Sequence, residues 1–78
     1  MPSDPPPAWL LQQRVVIGRR IRLLRERAGL SQEMLAELAG LDRKTVYRTE
    51  LGTHAASLDV LLRIAHSLDV PLAELVGE

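Results

Sequence analysis

Cysteine and phenylalanine are absent, and Trp9 and Tyr47 are the only aromatic residues among 78. The missing thiols exclude disulfides and cysteine-held zinc. With so few aromatics, the 46% hydrophobic content falls mostly to Leu, Ala, Val and Ile, which suits packed helices better than a β-sandwich. No apolar run approaches the ~20 residues of a membrane span, and the opening MPSDPPPAW has neither the basic nor the apolar region of a secretory signal. The expectation is a cytoplasmic protein that does not enter a membrane, built as one small domain.

Net charge is also lacking, since ten basic and ten acidic residues cancel. The cancellation hides an asymmetry. Residues 1–48 hold nine of the ten basic groups against Asp4, Glu26, Glu33, Glu37 and Asp42, a balance of +4. Residues 49–78 hold Arg63 against Glu50, Asp59, Asp69, Glu74 and Glu78, a balance of −4. Such a dipole along the chain points to a polyanion meeting the first half only.

Parts for chemistry are missing. There is no glycine-rich loop to cradle a phosphate, no cysteine nucleophile, and no Ser, His and Asp constellation on rigid elements. His54 and His66 lack ligand spacing, so neither a metal site nor a cofactor is expected. The chain reads as a non-enzyme.

Four of the five prolines lie in the first seven residues, which predicts a flexible extended tail over 1–7 and a folded domain over 8–78. From Ala8 to about Ala28, Leu10, Leu11, Val15, Ile17, Ile21 and Leu24 recur at helical intervals, weakened at Gly18, and Gly29 ends this first helix. Ser31 caps a short second helix that Gly40 terminates, with Leu30 and Leu35 as a hydrophobic staple. Asp42 caps a third, from Arg43 to Thr49 or Glu50, with Leu41 and Val46 as its staple and Gly52 as its stop. Ser57 opens a fourth with an apolar stripe of Leu58, Leu61, Leu62, Ala65 and Leu68, and Pro71 fits the first turn of a short fifth ending near Val76. No segment alternates with period two. The predicted fold class is all-α, with five helices.

Helices 2 and 3 are separated by little more than Gly40-Leu41. Ala36 is small where a second helix must cross, Gly40 permits a sharp turn, and Val46 can plug the angle. This is the physical content of a helix-turn-helix. The ordered matches are Ile21, Leu24 and Arg25, then Gly29-Leu30-Ser31-Gln32, Leu35-Ala36, Gly40, Val46, Glu50, Gly52, a Leu-rich fourth helix and Val70-Pro71-Leu72. On these residues the chain resembles, over 15–76, the phage repressor and Cro type of helix-turn-helix regulator, the xenobiotic-response-element-like family.

The resemblance implies a compact five-helix, lambda-repressor-like DNA-binding domain. Helix 3 would lie in the major groove and present Arg43, Lys44, Thr45, Tyr47 and Arg48, while Gln32 would bond the DNA backbone. Arg25 and Glu50 would form a buried ion pair, and His54 after helix 3 could meet a phosphate. The implied partner is double-stranded DNA with a palindromic operator, bound by a homodimer acting as a repressor. Dimer contacts would come from Leu72, Leu75 and Val76 or from Trp9-Leu10-Leu11. The six arginines between Arg14 and Arg27 read as a solvated face contributing a field and one or two phosphate contacts.

Four positions depart from the family pattern. Thr49 replaces a core apolar residue, which predicts looser anchoring of helix 3. Leu38 and Leu51 replace polar residues, which predicts that one or both are covered, the extended N-terminus with Trp9 being one candidate, and Ala56 replaces a proline. The rival reading is a protein-interaction module of antitoxin or adaptor type. It requires exposed apolar surface on the helix 3 side, where Arg43, Lys44 and Arg48 favour DNA.

Overall fold

The structure, a computed structural model, describes residues 4–77. Residues 1–3 of the expected tail and Glu78 lie outside that range, and residues 4–7 are exposed and non-helical. Five helices follow: α1 (Ala8–Arg27), α2 (Gln32–Ala39), α3 (Arg43–Leu51), α4 (Leu58–Ser67) and α5 (Leu72–Val76). Among the described residues there is no strand, and no helix is long and apolar enough to cross a membrane.

Local chemistry sets most boundaries. Ser31, Asp42 and Ser57 accept the backbone N–H groups of Met34, Thr45 and Val60 at 3.0, 2.7 and 3.1 Å, so each supplies the acceptor that an orphan first-turn donor needs. Gly29, Gly40 and Gly52 adopt left-handed conformations after α1, α2 and α3. Pro71 caps α5 from outside its first turn, one position earlier than the sequence suggested.

Ile21, Leu35, Val46, Ile64 and Leu75 are fully buried and, with Ala36 and Ala65, form one core to which every helix contributes. Burying each of the large side chains contributes about 1.5–3 kcal/mol. α4 faces this core through Val60, Leu61, Ile64, Ala65 and Leu68. Leu58 and Leu62, expected inside, are 60% and 45% exposed because the packed face is rotated away from them. Ile64 takes the central place that the predicted stripe did not give it.

Three further expectations are corrected. Gly18 does not weaken α1, which is continuous. It is buried where α3 crosses, and an added Cβ would stand 2.2 Å from the Glu50 carbonyl oxygen. Thr49 does not loosen α3, because it is 4% exposed and its hydroxyl donates to the Thr45 carbonyl at 2.7 Å. Leu38 and Leu51 are not covered by the N-terminal segment of their own chain: they are 62% and 47% exposed, and Trp9 itself is 64% exposed.

Candidate nucleic-acid interface

The turn between α2 and α3 fixes the hairpin. The Leu41 N–H donates to the Ala36 carbonyl at 2.8 Å, and Arg63 of α4 donates from Nη1 to the Ala39 carbonyl at 3.2 Å. A cation on the last carbonyls of a helix also suits the helix dipole. Arg63, the one basic residue of the acidic half, thus ties α4 to the end of α2.

On α3, Val46, Thr49 and Glu50 point inward and are buried. Arg43, Lys44, Tyr47 and Arg48 lie on the opposite side, all exposed, and line one shallow groove. Thr45 is half-buried at the edge, its N–H donating to the Asp42 cap at 2.7 Å. That hydrogen bond is the main cause holding the Asp42 carboxyl below its ordinary value near 3.8, helped by the Thr45 side chain and by Lys44 and Arg48 nearby. A lowered folded-state pKa means that the stabilisation is present above the unfolded pKa and lost as pH falls through the folded one. Thermal melts at pH 5 and pH 3 should therefore show a larger drop in Tm for the native chain than for Asp42→Asn, which caps without titrating. Equal drops would remove Asp42 from the acid response.

Behind α3, a buried network holds its C-terminal end. Arg25 donates from Nε to Glu50 Oε2 at 2.6 Å and from Nη2 to Oε1 at 3.1 Å, while Nη1 donates to the Leu30 carbonyl at 2.8 Å. The hydrogen bond to Glu50 is the main cause raising the Arg25 pKa above its ordinary value. Gln32 Nε2 donates to the same Glu50 Oε1 at 3.1 Å. Four chain segments meet there: α1, the turn after it, the first residue of α2, and α3. A primary amide carries two N–H groups, so Gln32 is oriented by one with the other left for a ligand. This positioning role was absent from the sequence reading.

His54 is half-buried beside an apolar cleft lined with Leu10, Ile17, Ala55, Ala56 and Leu61, and its Nδ1 is buried without a partner. It does not line the α3 groove. The α1 arginines divide: Arg25 is in the network, Arg22 pairs with Glu26 at 3.3 Å on the surface, and Arg14 lines the His54 cleft. Among the described residues, no group of acidic and histidine side chains could hold a metal ion.

Known proteins share this arrangement. A helix-turn-helix profile matches residues 21–75. An HTH-type transcriptional regulatory protein of Pyrococcus furiosus is 44% identical over 57 residues, covering 73% of this chain and 18% of its own length. Another, from Methanocaldococcus jannaschii, is 42% identical with the same coverage. This chain thus spans under a fifth of the length of these archaeal relatives. Among solved structures, the restriction-modification controller protein C.AhdI from Aeromonas hydrophila is 45% identical with a TM-score of 0.80, over 82% of this chain and 97% of its own. A hypothetical transcription factor from Neisseria is 31% identical with a TM-score of 0.81, over 99% of this chain and 86% of its own. With most of the chain inside the profile and the α2–α3 hairpin at its centre, this protein belongs to the helix-turn-helix family found in transcriptional regulators.

Proposed function

We propose that the five-helix domain, residues 8–77, is cytoplasmic and non-enzymatic, binds double-stranded DNA sequence-specifically and represses transcription. The observation that carries this reading is the exposed face of α3. Three cations and Tyr47 share one side of a helix whose other side is locked into the core. A helix of this size fits the major groove, where Arg43 and Lys44 in its first turn can pair with guanine O6 and N7. Thr45 can meet a thymine methyl, and Tyr47 and Arg48, one turn on, can reach a base edge or a phosphate. Gln32 offers its second amide N–H to a phosphate at the start of α2, where the helix dipole favours an anion. His54, with Nδ1 buried, can offer only Nε2 to the backbone.

One such helix reads a few base pairs, so the reading includes a homodimer on a palindromic operator with half-sites ~34–36 Å apart. Leu75 is fully buried and cannot serve as a dimer contact, whereas Val76, Trp9 and Leu11 are 42%, 64% and 42% exposed.

Selection of bound duplexes from a random pool tests the reading. The expected product is one enriched motif with two related half-sites, and failure to retain any duplex would overturn it. With that duplex, Arg43→Ala should cost about 1–3 kcal/mol and relax the preference at one position. Gln32→Ala should weaken all sequences alike. A sequence-specific loss from Gln32→Ala would contradict the phosphate role.

A further inference from the structure

α1 runs for 20 residues, about 30 Å, and only one side of it packs. Its outer side carries an apolar column seven residues apart: Trp9 at 64% exposure, Val16 at 37% and Leu23 at 47%. Steps of seven keep side chains on nearly one line of a helix and supply one of the two apolar positions per heptad at which paired helices meet. A shallow groove lined by Leu11, Gln12, Val15, Val16 and Arg19 runs beside the column. Trp9 and Val16 precede the segment 21–75 that the family profile matches.

The charges along α1 select the occupant and its direction. Residues 8–13 carry none, whereas the exposed Arg19, Arg22 and Arg27 crowd the second half against Glu26 alone, with Arg25 in the core and Arg20 turned against Gly77. Two copies side by side in parallel would set arginines against their own images, a like-charge contact. Antiparallel copies centred on Val16 avoid this. Trp9 then faces the partner's Leu23, and Arg19, which is exposed, lies beside the partner's Gln12. A glutamine carbonyl accepts from a guanidinium, and opposed helix dipoles favour the same direction.

We propose that the outer face of α1 is an interface with a second copy of this chain, antiparallel and with its two-fold axis at Val16. The proposal deepens the homodimer reading above and rests on it.

The absence of cysteine makes the test clean, because single thiols can be introduced into the full chain without a background. A disulfide forms only where Cα atoms come within about 4.4–6.8 Å, so cross-linking reports register. Val16→Cys should form a disulfide dimer on mild oxidation. Gln12→Cys and Arg19→Cys, which leave the apolar column whole, should each remain single alone and join when mixed. Val16→Arg, at an exposed site, should raise the dimer dissociation constant at least tenfold by light scattering and leave helicity unchanged. Gln12→Cys and Arg19→Cys each linking to itself would mean a parallel pair and overturn the proposal. A dimer by light scattering in which Val16→Cys does not cross-link would overturn this interface and leave the homodimer reading standing. A monomer at every concentration and on DNA would end both.

Discussion

Arg25→Met and Glu50→Gln are each expected to cost about 3–5 kcal/mol in urea melts, because removing one partner strands a buried charge. The Glu50 side chain is 3% exposed and accepts from Arg25 twice and from Gln32 once. Arg25→Met withdraws two of these donors together with the one that satisfies the Leu30 carbonyl. Glu50→Gln leaves a guanidinium in the interior without its counter-charge. A chain of this length holds about 4–12 kcal/mol in total, so either variant removes at least about a quarter of its stability. The paired replacement Arg25→Met with Glu50→Leu should cost less than the sum of Arg25→Met and Glu50→Leu measured singly, since neither charge then remains. Losses under about 1 kcal/mol for Arg25→Met and Glu50→Gln would reduce the network to an ordinary surface pair.

Gly18→Ala is expected to destabilise by about 3 kcal/mol, against the sign of helix propensity, which favours Ala over Gly by about 1 kcal/mol. The added Cβ would lie 2.2 Å from the Glu50 carbonyl oxygen and 2.6 Å from that of Thr49. Both obstacles are backbone, so the helices themselves must separate. That separation would strain the Arg25–Glu50 hydrogen bonds, which join the same two helices. Melts in which Gly18→Ala matches or exceeds the native chain would show that α1 and α3 do not approach this closely.

These two sites mark what could be read from the sequence. Ser31, Asp42 and Ser57 were legible as caps because a cap is a contact over three residues, written in local order. Gly29, Gly40 and Gly52 were legible as stops for the same reason. Gly18 was misread as a weak point because its cause, a backbone 31 residues away at Thr49, leaves no local trace. Its signal was a lone glycine inside an otherwise strong helix. Leu58 and Leu62 matched an apolar stripe as well as Leu61 and Ala65 did, and only the rotation of α4 on the core separates them.

The candidate interface divides along the same line. Arg43, Lys44, Tyr47 and Arg48 follow from helical spacing once Val46 is assigned to the core, and the structure brings them to one groove. The hold of Glu50 on Gln32 bridges 18 residues and depends on the crossing of α2 and α3. Arg63 on the end of α2 bridges 24, and no periodicity announces it. His54 was read as a loop residue, and its burial follows from the packing of α1 and α4 around the cleft.

The central claim is that the exposed cationic face of α3 reads DNA, and removing it tests the claim most directly. Arg43→Ala, Lys44→Ala and Arg48→Ala combined touch no core residue and no cap, so the melting curve should stay close to that of the native chain. Three contacts of about 1 kcal/mol or more each correspond to at least a hundredfold loss of affinity. Titration of the selected duplex at fixed salt should show that loss in a variant that remains folded. An affinity equal to that of the native chain would contradict the account and move recognition away from α3.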